Sequence, residues 1–144
     1  MKQIIKLIFS LLFSLLLLIA IIPASNAVDA RSSDYFAMTE VWATATGSGK
    51  FIVEFDINAT HTMTEVGATK IIIKERQSDG SYEGVKTFTR YNTSGLIQRN
   101  SSCAYAKVSY TGTPGTKYYA SVTLYAKDGS GSETMGVVTN TITA

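Results

Sequence analysis

Residues able to do chemistry are few in this chain, and their spacing limits them further. There is one His, His61, and one Cys, Cys103. A Ser-His-Asp hydrolase needs a positioned imidazole beside its nucleophile. His61 stands between Thr60 and Thr62, and no Gly-x-Ser-x-Gly elbow occurs anywhere. It reads as a solvated loop residue. Structural zinc takes about four nitrogen or sulfur ligands, more than one His and one Cys supply. Cys103 has no second Cys to pair with and reads as a small buried hydrophobe, not a nucleophile. Asp128-Gly129-Ser130-Gly131-Ser132-Glu133 gathers oxygen ligands, but two carboxylates fall short of a calcium set, and the glycines spell a hairpin loop. Glu54 and Asp56 share one face of a strand, whereas glycosidase acids oppose each other across a cleft. There is no phosphate loop and no dinucleotide fingerprint. No catalytic residue, no metal and no cofactor is expected.

The elements that must position these residues have a period of two. In 51–57, Phe51, Val53, Phe55 and Ile57 alternate with Glu54 and Asp56, the pattern of a strand with one face in a core. A first strand is expected at 41–46, and further strands at 71–73, 85–89, 104–110, 118–126 and 135–142. The fourth of these seven, 85–89, reads as an edge strand. Residues 58–68 are expected to form a long loop with Met63 and Val66 tucked under it. Gly47-Ser48-Gly49, Ser78-Asp79-Gly80-Ser81, Gly112-Thr113-Pro114-Gly115 and Asp128-Gly129-Ser130-Gly131 punctuate the strands as turns. No amphipathic helix of three turns is visible. The expected fold is all-β, a single seven-stranded antiparallel β-sandwich.

The first 27 residues have a different character. Lys2 and Lys6 precede an apolar run over 7–22, Pro23 ends it, and Ser25-Asn26-Ala27 offers small residues at a cleavage site. That is the pattern of a secretory signal peptide. The expected organisation is signal peptide 1–27, short extension 28–37 and domain 38–144. Lys2 and Lys6 also account for the whole formal charge of +2 in this chain of 144 residues, so the body is neutral. A neutral body argues against a nucleic-acid partner. After cleavage no membrane association is expected, and the protein is expected outside the cell, free or at the cell surface. Export without a disulfide suits a Gram-positive bacterium.

The stretch Tyr110-Thr111-Gly112-Thr113-Pro114-Gly115-Thr116-Lys117-Tyr118, followed by Ala120, Val122 and Leu124, resembles fibronectin type III domains. In that family a Pro-Gly-Thr-x-Tyr turn leads into the sixth strand, and the Tyr closes a corner by hydrogen-bonding back to the chain. The resemblance assigns that corner to Tyr118 and puts Phe55 where the family has a core Trp. Gly112 stands where the family usually has Leu, and the Pro-rich start of the first strand is missing, so a broader immunoglobulin-like sandwich also fits. The segments 45–50 and 66–71 and the Tyr118-Tyr119 strand are similar to small secreted proteins of unknown function from Gram-positive gut anaerobes. That likeness implies a destination and a fold but no activity.

In the family's order the third and sixth strands are adjacent. Tyr119, Tyr125 and Ile72 would then face outward together as an aromatic and aliphatic binding patch. Trp42 is expected to cover one end of the core. The function these features imply is non-catalytic binding of an extracellular protein or glycan. The alternative is a structural or assembly protein of the cell surface, pairing through edge strands.

Overall fold

The computed structural model describes residues 33–144, and within them every regular element is a strand. The expected signal peptide, 1–27, and residues 28–32 of the expected extension lie outside the described residues. Seven strands follow in order: β1 (Phe36–Gly47), β2 (Lys50–Arg76), β3 (Tyr82–Thr89), β4 (Ile97–Thr111), β5 (Lys117–Lys127), β6 (Ser132–Val138) and β7 (Ile142–Thr143). All pair antiparallel in one curled sheet.

The strand β2 is the spine. A strand offers only two hydrogen-bonding edges, yet β2 has four partners, so they must share its length. One edge takes β1 against 50–59 and then β5 against 65–75. The other edge takes β4 against 50–67 and then β3 against 70–76. A straight strand would hold Phe51 and Glu75 about 80 Å apart, at about 3.3 Å per residue. Tyr118 is paired with Glu75, and its ring centroid lies 5.2 Å from that of Phe51. The spine is therefore bent back on itself, and its two halves enclose one core.

That core holds the inward positions of each alternation. Phe51, Val53, Phe55 and Ile57 come from the first half of β2, and Ile71 and Ile73 from the second. Tyr118, Ala120, Val122, Leu124 and Ala126 come from β5. The bend lies at 59–67, where pairing with β4 skips from Asn58 to Met63. Gly67 completes it with φ +149°, and a side chain there would strike the carbonyl of Leu96, which accepts the Ala68 N–H at 2.8 Å. Only glycine allows that approach.

Several expectations need correction. Residues 58–68 form strand, not loop; Thr60, Thr62 and Thr64 alternate with Met63, a β-branched period of two. Met63 and Val66 are fully buried within it. His61 accordingly lies on a strand, although it is exposed. Cys103 is exposed too, because Ala104 takes the inward position opposite Ile57 and alternation turns its neighbour out. Trp42 covers no part of the core: it pairs with outward Glu54 while Val41 and Ala43 point in. The expected first and last strands also differ in extent. The strand β1 starts at Phe36, and 135–142 divides into β6 and β7 at Thr139 and Asn140.

That interruption joins the sheet's ends. Thr139 donates its N–H to the Ala120 carbonyl at 2.9 Å and accepts the Ala120 N–H at 2.9 Å on its side-chain hydroxyl. Asn140 acts as a substitute peptide group toward β1, accepting the Ala43 N–H at 2.8 Å and donating to the Ala43 carbonyl at 3.0 Å.

Candidate binding face

Tyr119, Tyr125 and Ile72 reach the same outward side because their strands are in register. In β5 the buried residues are even-numbered and Tyr119, Ser121, Thr123 and Tyr125 point outward. In β2, buried Ile71 and Ile73 leave Lys70, Ile72 and Lys74 on the same side. Lys74 is opposite Tyr119, Ile72 opposite Ser121, and Lys70 opposite Thr123. All three candidate residues are half-buried. Ile72 and Tyr119 are near neighbours, whereas Tyr125 lies six residues along β5 from Tyr119, about 20 Å at the strand rise.

Each end of the face has further residues that the sequence did not single out. Tyr82 of β3 pairs with Arg76 and packs edge-on to Tyr119, with ring centroids 4.8 Å apart at 64°. Ile72 leans over Gly84, whose absent Cβ leaves it room. At the other end the Arg90 guanidinium sits 5.6 Å from the Tyr125 ring centroid. Arg90 is held there by Glu65 at 2.7 Å, and the second oxygen of Glu65 takes Arg99 at 2.8 Å. The Arg90 hydrogen bond, with the charges of Arg90, Arg99 and Lys127, holds the Glu65 carboxyl below its usual value against the opposing effect of burial. Arg90 and Arg99 also line a shallow depression of about 250 Å³ with Tyr91, Thr93 and Leu96.

Tyr82 was within reach of the sequence: extending the hairpin around Ser78-Asp79-Gly80-Ser81 by pairs brings it to Arg76. Glu65 and Arg90 were not, because they meet from elements separated by 25 residues.

The outward side of β1, β4 and the first half of β2 has a different make-up. The Glu54 carboxylate receives the Trp42 indole N–H at 3.0 Å on one oxygen and the Tyr105 hydroxyl at 2.5 Å on the other. That bond raises the Tyr105 phenol above its usual range. Glu40 and Asp56 are opposite each other in register beside this trio. Glu54 is thus committed to two aromatic side chains on an open sheet face, and Asp56 is next to it on the same strand rather than across a cleft.

The residues first considered for chemistry are also tied into structure. His61 Nε2 meets Asp128 Oδ2 at 2.7 Å, and Nδ1 meets the Thr60 hydroxyl at 3.0 Å. The Thr60 hydroxyl bonds to the Asp34 carbonyl at 2.7 Å, so its proton is not directed at the imidazole. Asp128 Oδ1 caps the β5–β6 turn, accepting from Ser130 N–H and Oγ at 2.7 Å and from Gly131 N–H at 3.0 Å. Ser130 and then His61 hold the Asp128 carboxyl well below its usual range. Glu133 turns away to accept the Ser33 hydroxyl at 2.7 Å. Among the described residues no three of His, Cys, Asp and Glu come together as a metal-binding group.

The chain matches no known family model, no curated protein and no solved structure.

Proposed function

We propose that this is an exported, non-catalytic binding protein whose curled sheet is a fibronectin type III-like β-sandwich. Its recognition surface, on this reading, is the outward side of β3, the second half of β2, β5 and β6. The adjacency of β2 and β5 agrees with what the resemblance implies for the third and sixth strands. The bonds of the Tyr118 hydroxyl support a corner of the kind that family has. Export is supported by the pattern of residues 1–27.

The observation that carries the binding role is the shared outward side of Tyr119, Ile72 and Tyr125, extended by Tyr82. Half-buried tyrosines lose little side-chain entropy on contact, which makes them efficient recognition groups. The test is to screen the full chain against immobilised extracellular proteins and glycans, with Tyr119→Ser/Tyr125→Ser and Tyr105→Ser variants alongside. Binding that falls at least tenfold in the first variant and stays in the second, at unchanged melting midpoints, is the expected result. Binding indifferent to both would place recognition elsewhere.

A second reading, assembly through edge strands, has one observation in its favour. Among the described residues the strand β6 pairs only with β5; it carries Glu133 as its sole charge and ends at Val138, which is 61% exposed. Such an edge is open to addition of another strand.

A further inference from the structure

Resting on the binding role just proposed, we infer that the same face takes a linear anionic glycan, one bearing carboxylate or sulfate groups along its length. Residues 33–144 carry as many basic as acidic residues, ten of each, but the basic ones are concentrated on one face. Lys70 and Lys74 project outward from β2, Arg76 ends that row, and Lys127 ends the neighbouring row on β5. Among the described residues none of these four forms an ion pair. The one carboxylate on the strands of this face, Glu65, is shared between Arg90 and Arg99. With Lys117, outward at the start of β5, seven cations therefore stand against one acid. Glu83 and Glu133 alternate to the other side, opposite inward-facing Glu75 and Ala126. The acids Glu40, Glu54 and Asp56 face outward from the other half of the sheet, where Lys107 is opposite Glu54 and Lys50 shares their side. The neutral total thus conceals one strongly basic face.

The layout favours a polymer over a small anion. From Glu65 to Arg76 the charged positions extend about 36 Å along β2, with the Arg90–Arg99 depression at one end and Arg76 at the other. A small anion could engage only one point on that line. Ser121 and Thr123 lie between the cations and offer hydroxyls to sugar hydroxyls. The tyrosines favour a glycan over single-stranded nucleic acid, because base stacking needs open ring faces. Tyr119 is packed on Tyr82, and Arg90 covers Tyr125. A negatively charged sugar chain needs only the exposed edges and the cations.

The experiment measures binding of the full chain to polygalacturonate, dextran sulfate, uncharged dextran and an oligo-dT strand. Comparison proteins are Lys70→Glu/Lys74→Glu, and Glu40→Gln on the opposite face. Expected is binding to one or both anionic glycans and not to dextran, weakened at least tenfold by salt screening and at least tenfold by the double reversal, with Glu40→Gln unchanged. Polygalacturonate alone would indicate a carboxylate glycan, and dextran sulfate alone a sulfated one. The inference is overturned if neither anionic glycan binds, if a correctly folded Lys70→Glu/Lys74→Glu binds as well as the parent, or if oligo-dT binds more tightly than both. Should Lys70→Glu/Lys74→Glu fail to fold, Arg76→Glu at the end of the row gives the same readout. An uncharged ligand lost in Tyr119→Ser/Tyr125→Ser, with no anionic glycan bound, would overturn this inference and leave the binding role intact.

Discussion

Tyr118→Phe removes one oxygen from a fully buried aromatic residue. The hydroxyl accepts the Thr113 N–H at 2.9 Å and donates to Glu75 Oε2 at 2.9 Å, while the ring is fully buried against Phe51. The ring's packing is retained in the variant, so the change isolates the two bonds. A neutral bond contributes about 1 kcal/mol and one to a carboxylate about 1.5–3. Thr113 is exposed and Glu75 half-buried, so water recovers part of both. The expected loss is about 2 kcal/mol, or about 8 °C in melting midpoint for a domain near 100 residues. Urea titration at neutral pH measures it. A loss below about 0.5 kcal/mol would show that the corner does not hold the 112–117 turn against β2.

The same residue has a pH signature. Burial, with help from the Glu75 carboxylate, raises the Tyr118 phenol above its usual range, although the Thr113 N–H opposes this. The folded state therefore holds the proton more tightly than the unfolded chain. Its contribution is complete below the unfolded tyrosine value near 10 and is lost as pH rises through the higher folded value. The stability gap between parent and Tyr118→Phe should shrink in that alkaline window. Tyr105 titrates equally in both proteins and cancels. A gap that stays constant with rising pH would mean the phenol is not held as described.

Other outcomes follow from single contacts. Gly112→Ala places a Cβ 2.5 Å from Tyr118 Cζ; since the buried ring cannot retreat, the variant should lose about 2 kcal/mol or more, and Tyr118→Leu should relieve part of that loss in a double-mutant cycle. Gly67→Ala directs a methyl group into the Leu96 carbonyl from a left-handed backbone angle and is expected to leave no folded protein by circular dichroism; a normal spectrum would refute the tight bend. Asn140→Ala loses both bonds to Ala43 and should cost about 1–2 kcal/mol in urea. Glu65 is held below its usual carboxylate value by Arg90, so the advantage of the parent over Glu65→Gln should be present at neutral pH and disappear as pH falls below about 4. An advantage that persists in acid would place Glu65 outside that pairing.

The inward half of the fold was legible because it depends on a property each residue carries alone. Phe51, Val53, Phe55 and Ile57 alternate in the sequence and are all buried in the structure. So are Tyr118, Ala120, Val122 and Leu124. The turns were legible for the same reason. The bend of β2 was not. Thr60, Thr62 and Thr64 mark strand through β-branching without marking burial, so a search for apolar alternation stops at Ile57 and resumes at Ile71. Gly67 fell within the stretch expected as a loop, whereas its role is to admit the Leu96 carbonyl. Nor could alternation tell which side of the sheet Trp42 and Cys103 face, since that depends on register with β2.

For the candidate face, the limit lay in summing charge instead of mapping it. Equal numbers of acidic and basic residues say that the far field is weak; they say nothing about surfaces a few ångströms across. Alternation along β2 sets which of its charges share a side. Its first half presents Glu54 and Asp56 to one side, and its second half presents Lys70 and Lys74. Because the spine is bent double, these two segments end on opposite surfaces, although about four turns of an α-helix would span the sequence between them. A partner meeting the Lys70–Arg76 face at a separation shorter than the screening length sees its positive charge, not the neutral total. The neutral body therefore tells against long-range steering of a polyanion, and leaves short-range capture by the Lys70–Arg76 row as the means by which this face would discriminate.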